Sequence, residues 1–330
     1  MKHSTALQRL RAWPGARLAD LPTPLLHAAR LGSELGVSDL YVKMDAETGF
    51  ALGGNKVRKL EFELAPGRVE GVTCLITAGG PQSNHCRVTA AFAARFGIRC
   101  VLVTQAPAPE KPTGNALLHR LFGAEIVTVA DRADRAPTMQ EIATSVNAAG
   151  GRAMVVPIGA STGLGSLGYG VAAVELTEQL DALPGAPAQT IVFVSTSSCG
   201  TLAGLTLGLA LLGRSDIRLV GVSADARADE LRSTTLEIAA EGAALLGVEP
   251  DLGCVPLTTL DGEVGEGYGI PTPASEAATA LFGRLEGLML DPTYTAKAAA
   301  AMIAWIRAQE GAPPHRIVFL HTGGHPGLLT

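Results

Sequence analysis

TIVFVSTSSCGTLAGLTLGLALL, residues 190–212, begins as an unbroken apolar run, turns through hydroxyl residues and one glycine, and resumes as a second apolar stretch. Apolar runs without polar alternation belong to strands covered on both faces, and a strand that passes through a short turn into a helix is the repeating unit of a parallel sheet. The same unit recurs along the chain. LYVKMD (40–45), VTCLITAG (72–79), IRCVLVTQ (98–105), AEIVTVA (124–130), AMVVPIG (153–159), IRLVGVSAD (217–225) and RIVFLHTGG (316–324) read as further strands. HCRVTAAFAARFG, GNALLHRLFG, SLGYGVAAVELTEQL and YTAKAAAAMIAWIRAQE read as helices between them. The pattern predicts a doubly wound α/β architecture.

Composition bounds the function. With 330 residues, 47% hydrophobic and 17% charged, the chain can bury a large core in two domains or one large α/β unit. A net charge of -5 without a basic block argues against nucleic acid as a partner. No apolar run is of membrane-spanning length without glycine, proline or charge, so no membrane role is expected. The opening MKHSTALQRLRAW lacks the apolar segment of a secretory signal. Five scattered cysteines without a C-x-x-C pair read as free thiols, and a cytoplasmic setting is the expectation.

Ligands of such sheets bind beyond the carboxyl ends of the strands. Four turns there are rich in Gly, Ser, Thr and Asn: GGPQSNH (79–85), GASTGLGSLG (159–168), STSSCGT (195–201) and HTGGHPG (321–327). Within the second, GLGSLG (163–168) is a literal G-x-G-x-x-G. The next strand ends in Ser195 and Thr196, not in the acidic residue that would hold a ribose, so a nicotinamide cofactor is not expected. No P-loop is present. His321 and His325 lie in a Gly/Pro turn with no third ligand adjacent, and no metal site is expected.

STSSCGT aims backbone N–H groups and a helix start near Leu202 at one point, supplemented by Ser197, Ser198 and Thr201, an arrangement suited to a single phosphate. An ordinary helix cap by Thr201 is the alternative. GGNKVRKLE (53–61) delivers Lys56 to a helix start, where its ammonium is destabilised and its amine can act as a nucleophile. An amine and a phosphate cup together fit pyridoxal 5'-phosphate, bound as a Schiff base.

LGGNKVRKLEFELA, QSNHCRVTAAFAARFG, VPIGASTGLGSLGYG, SCGTLAGLTLGL, GYGIP, RLEGLMLDPTYTAKA and FLHTGGHPGLL resemble, in order and spacing, the D-cysteine desulfhydrase and 1-aminocyclopropane-1-carboxylate (ACC) deaminase family. The resemblance runs from about residue 20 to residue 330. It implies fold type II of the pyridoxal phosphate enzymes, with two doubly wound α/β domains and the cofactor in the cleft between them. Residues 1–52 plus 165–330 would form the large domain, residues 53–164 the small one, and the protein would be a homodimer acting on a small amino acid.

The resemblance also implies site residues. Lys56 would be the Schiff-base lysine and the base at the substrate α-carbon, and Lys59 would approach the phosphate. Asn84 would bond the ring oxygen, and Ser83 with the local N–H groups would hold the substrate carboxylate beside His85. Ser198, Cys199, Gly200 and Thr201 align with the phosphate loop, while Ser197 replaces a glycine common in the family. Tyr268 and Tyr294 would line the site, either able to act as an acid near the leaving group. Ser161 and Thr162 would face the substrate side chain, with Thr162-Gly163 replacing an Asn-Pro pair.

Where ACC deaminases carry a Glu after the DP-x-Y tyrosine, this chain has Thr295, and it has Thr322 in HTGG. A neutral hydroxyl beside the pyridine nitrogen leaves a weaker electron sink, suited to substrates with a good β leaving group. The expectation is a carbon–sulfur lyase converting D-cysteine to pyruvate, ammonia and sulfide. L-cysteate sulfo-lyase, ACC deaminase and a non-catalytic amino-acid-binding homologue are the alternatives.

Overall fold

The computed structural model describes residues 2–106, 110–185, 187–309 and 315–330. Its strands are β1 (Leu25–His27), β2 (Leu40–Lys43), β3 (Cys74–Gly79), β4 (Arg99–Thr104), β5 (Glu125–Thr128), β6 (Ala153–Val155), β7 (Gln189–Thr196), β8 (Ile217–Ser223), β9 (Leu257–Leu260) and β10 (His315–Leu320). The helices are α1 (Lys2–Arg11), α2 (Ala29–Leu35), α3 (Asn55–Glu63), α4 (Pro66–Val69), α5 (Asn84–Phe96), α6 (Gly114–Leu121), α7 (Arg135–Ala148), α8 (Gly163–Asp181), α9 (Gly200–Leu212), α10 (Ala228–Leu246), α11 (Pro273–Glu286) and α12 (Thr295–Arg307). All eight expected strands form. The last residue of the expected helix after Tyr294, Glu310, lies outside the described residues.

Two sheets result. The six-stranded sheet runs β1-β2-β10-β7-β8-β9 and is parallel apart from β1, which pairs antiparallel with β2. The four-stranded sheet runs β5-β4-β3-β6, all parallel. Both faces are covered, as the unalternating strands require. Ile191 and Phe193 of β7 pack with α11 and α12, whereas Val192 and Val194 pack with α8 and α9. In the smaller sheet, Leu75 and Leu102 meet Val57 and Leu60 of α3 and Phe92 of α5, and Ile76 and Val101 meet Met139 and Ala143 of α7.

The glycines of GLGSLG serve packing. Gly165 and Gly168 lie inside α8, where an added Cβ would collide with the carbonyls of Ala160 and Arg58 respectively. Gly204 of α9 likewise presses on Ser166 and Tyr169. Close approach of α3, α8 and α9 is therefore the reason for this glycine pattern. No helix among the described residues is long and apolar enough to cross a membrane.

A buried ionic cluster ties α3 to the large sheet. Arg58 pairs with Asp45, just beyond β2, at 2.9 Å and with Glu175 of α8 at 2.8 Å. Thr23 and Tyr169 also donate to Asp45, and Lys43 pairs with Glu175. Arg58 and Asp45 are almost fully buried, so α3 is held by charges that have no access to water.

Candidate active site

The carboxyl ends of β3, β7 and β10 open onto one cavity of about 500 Å³. Its wall contains Lys56, Lys59, Ser83, Asn84, His85, Ser197, Ser198, Cys199, Gly200, Thr201, Tyr268, Tyr294 and Thr322, residues drawn from six separate segments of the sequence. Among the described residues no Asp or Glu lines it, while Lys56, Lys59, Arg132 and Arg135 do.

Lys56 is positioned by its glycines. Gly53 and Gly54 have φ of +66° and +103°, values that favour glycine, and a Cβ on Gly54 would press on the Thr322 carbonyl at 3.2 Å. That carbonyl accepts the Asn55 N–H at 2.9 Å, so the turn after β10 anchors the start of α3. Lys56 Nζ donates to Asn55 Oδ1 at 3.0 Å and sits 6.0 Å from the centre of the Tyr294 ring. Burial first, and then the Arg87 guanidinium, pull its pKa down to about 8, against an opposing pull from Asp291.

The phosphate-like cup is built by α9. The helix starts at Gly200 rather than near Leu202, so Thr201 lies in the first turn and does not cap it. Cys199 is the N-cap residue at φ +63°, a left-handed conformation uncommon for a side chain with a Cβ. Its thiol points away, toward the Leu231 carbonyl at 3.5 Å, leaving the backbone as its contribution to the cup. Lys59 Nζ donates to Ser161 Oγ at 3.0 Å, and Ser161 Oγ is 2.8 Å from Ser198 Oγ. Burial first and Lys56 second hold the Lys59 amine well below the usual lysine range. An anion bound in the cup favours its charged form.

Opposite lies the start of α5. Ser83 caps it, its Oγ accepting from Cys86 N at 3.2 Å. Asn84 Oδ1 accepts from Arg87 at 2.8 Å and from Asn115 at 2.9 Å, which leaves its amide N–H group to face the cavity. Arg87 is fully buried and also donates to the Gly53 carbonyl at 2.6 Å, linking Asn84 to the turn before Lys56. His85 Nε2 is 2.8 Å from Thr77 Oγ1, and its Nδ1 has no partner. Burial, then Lys56 and Lys59, hold its pKa well below the histidine range, so the ring is neutral.

The tyrosine hydroxyls of Tyr268 and Tyr294 lie 2.5 Å apart. Burial raises both pKa values, that of Tyr294 strongly, so near neutral pH the pair keeps its protons and can donate one. Thr322 Oγ1 lies 2.9 Å from Ser195 Oγ, placing two neutral hydroxyls on the remaining wall.

Three expected positions fall elsewhere. Thr162 is the N-cap of α8, its Oγ1 accepting from Gly165 N and donating to Glu63, so it does not line the cavity. Ser161 stands behind Ser198 and joins the phosphate-like cup instead of facing a substrate side chain. Thr295 turns into Asp291, donating to Oδ1 at 2.7 Å, and is fully buried outside the cavity wall. Thr295 is therefore not among the neutral hydroxyls of the cavity wall, whereas Thr322 and Ser195 are. Asn55, whose Nδ2 donates to Thr201 Oγ1 at 3.0 Å, and the staple Arg87 were not legible as site residues.

A pyridoxal phosphate fits these donors. The cup, with Lys59 beside it and an added Cβ on Gly200 excluded by Ser161 at 2.7 Å, accepts a compact dianion, and Lys56 presents a partly neutral amine to the same space.

Comparison with known proteins agrees. The chain is 40% identical over 330 residues to a D-cysteine desulfhydrase of Yersinia pestis (strain Pestoides F), covering 98% of each chain. It is 38% identical to the D-cysteine desulfhydrase of Klebsiella pneumoniae (strain 342), again covering 98% of both. A crystal structure of an ACC deaminase homologue superimposes with a TM-score of 0.87 at 32% identity, over 98% of this chain and 96% of the other. The model of the pyridoxal-phosphate dependent enzyme family matches residues 16–323, and with that match and those relatives the chain belongs to the pyridoxal-phosphate dependent enzymes.

Proposed function

We propose that the protein is a lyase that eliminates the β-substituent of a small amino acid, with D-cysteine the first substrate: D-cysteine and water give pyruvate, ammonia and sulfide. The observation that carries this reading is the convergence on one cavity of the Lys56 amine, the α9 cup and the α5 start, with no carboxylate among the described residues of its wall. The relatives named D-cysteine desulfhydrase, matched over nearly the whole chain, support the substrate.

When bound, pyridoxal phosphate supplies an electron sink for charge developing at the substrate α-carbon. Residues 197–201 and Lys59 would hold its phosphate, Asn84 would donate to its ring oxygen, and Thr322 would lie on the side of its ring nitrogen. The Lys56 amine would anchor it and would take the α-proton, a role that its pKa of about 8 suits near neutral pH. Ser83 and the first N–H groups of α5 hold the substrate carboxylate, with His85 beside them. The Tyr268–Tyr294 pair gives a proton to the departing sulfur, so that the C–S bond electrons leave with it. In this reading residues 1–52 plus 165–330 and residues 53–164 are the two domains flanking the cleft, and the protein acts as a cytoplasmic homodimer.

The test is pyruvate release by the purified, cofactor-loaded protein from D-cysteine, with L-cysteine, L-cysteate and ACC alongside. Pyruvate from D-cysteine above the other three supports the reading. Turnover of ACC to 2-oxobutyrate with none of D-cysteine refutes it.

A further inference from the structure

Tyr268 is carried by a loop with little of its own to hold it. Residues 261–271 form turns between β9 and α11, and none of them is buried. Four of the eleven, Gly262, Gly265, Gly267 and Gly269, are glycine, the residue with the most conformational freedom to lose. The backbone bonds from Gly267 N to the Val264 carbonyl and from Ile270 N to the Gly267 carbonyl are both 3.3 Å, longer than the usual value of about 2.9 Å. A segment with so few buried contacts is expected to open readily. Its tyrosine hydroxyl nevertheless lies 2.5 Å from that of Tyr294.

What fastens the loop comes from α12. Lys297 is fully buried, and its Nζ donates to the Val264 carbonyl at 2.7 Å and to the Gly267 carbonyl at 2.9 Å; Gly267 is the residue before Tyr268. For the helix alone this is a poor place for a lysine. It lies in the first turn, at the positive end of the helix dipole, and burial disfavours its ammonium. The two carbonyls offset that cost with charge-assisted bonds, which are stronger than bonds between neutral groups. The start of α12 therefore carries both tyrosines, Tyr294 as its N-cap residue and Tyr268 by way of Lys297. We propose that Lys297 is a positioning residue, which clamps the 261–271 loop at two points so that the Tyr268 hydroxyl stays on that of Tyr294 at the cavity wall.

This rests on the β-elimination reading for what the tyrosines do. There the pair gives a proton to the departing sulfur, a transfer that requires the donor within about 3 Å of its acceptor. A loop that drifts by about 1 Å loses that alignment. Lys297 is not part of the cavity wall, so its influence on the reaction runs through Tyr268 alone. A leaving group that departs as a stable anion, such as chloride, needs no proton and is indifferent to the placement of Tyr268.

The experiment uses cofactor-loaded wild type, Lys297→Met, Tyr268→Phe and the double variant; methionine keeps most of the stem and removes the donors. Two quantities are read: kcat for pyruvate release from D-cysteine and from 3-chloro-D-alanine, and amide hydrogen exchange by NMR at Val264, Gly267 and Ile270, donors within the loop. Lys297→Met is expected to lower kcat on D-cysteine at least about tenfold, to leave kcat on 3-chloro-D-alanine within about twofold, and to add nothing to Tyr268→Phe. Exchange at the three amides should rise at least about tenfold in Lys297→Met while that of β7 stays as in wild type. Unchanged loop exchange, equal slowing with both substrates, or single losses that multiply in the double variant would each overturn the proposal. So would wild-type exchange at the three amides as fast as in an unfolded peptide, which decides the matter even if Lys297→Met does not fold. Faster loop exchange in Lys297→Met, in a protein whose wild type releases pyruvate from no amino acid, would sink the β-elimination reading and leave the clamp standing.

Discussion

Arg58→Met tests how Lys56 is held. Arg58 lies two residues beyond Lys56 on α3 and makes paired contacts of 2.8–3.0 Å to Asp45 and Glu175. Methionine matches the length of the stem and removes only the charge and its donors. Asp45 then remains fully buried with Lys43 as its remaining charged neighbour. Removing one partner of a buried pair costs about 3–5 kcal/mol because the other charge is stranded, a large share of the roughly 5–15 kcal/mol by which proteins are stable. The pH dependence follows from the sign of the Asp45 shift. Burial raises its carboxyl, and Arg58 first among the opposing influences brings it below the usual value. Its contribution is thus present above the unfolded pKa and lost as pH falls through the lower folded one. In the variant Asp45 takes up a proton more readily, so the penalty shrinks on acidification. Urea unfolding at pH 7.5 and pH 5, followed by fluorescence, should show the larger loss at pH 7.5. A loss under about 1 kcal/mol there, or an Arg58→Met/Asp45→Asn double variant whose loss equals the sum of the singles, would refute the stranded-charge argument.

The rate of pyridoxal phosphate uptake should rise with pH through a midpoint near 8, because a pKa of about 8 leaves roughly one quarter of Lys56 neutral at pH 7.5, against about 0.1% for an unperturbed lysine. A midpoint near 10 in stopped-flow absorbance would contradict the shift. Asn84→Ala should weaken cofactor binding by about tenfold in a fluorescence titration, the worth of one hydrogen bond that Arg87 and Asn115 have already oriented. An unchanged Kd would remove Asn84 from the cofactor site. Gly204→Ala should cost about 1–3 kcal/mol in thermal unfolding, since the added methyl meets Ser166 and Tyr169 of α8.

Much of this was legible in the sequence, for reasons visible in particular residues. Strands such as β7 and β10 are buried on both faces, so Val, Ile, Leu and Phe run without interruption. The two strands not anticipated, β1 and β9, are the outermost strands of the large sheet; LLH and LTTL are short and only partly buried. The turns of the site were legible because glycines and hydroxyls cluster where strands end. What those turns do not reveal is direction. Thr162 and Thr295 look like site residues on the page, yet their hydroxyls are consumed by Glu63 and Asp291. Arg87 sits inside an expected helix with nothing to mark it as a staple, and Arg135 sits in a charged stretch, DRADRA, that reads as solvated surface.

The central claim is that Lys56 is the amine that carries the cofactor. Lys59 competes for that role: it lines the same cavity, and burial depresses its pKa as well. The direct measurement is borohydride reduction of the cofactor-loaded protein followed by peptide mass spectrometry. A pyridoxyl-phosphate adduct on Lys56, with Lys59 unmodified, is the predicted result. An adduct on Lys59, or unmodified lysines in a protein that nonetheless releases pyruvate, would contradict the account.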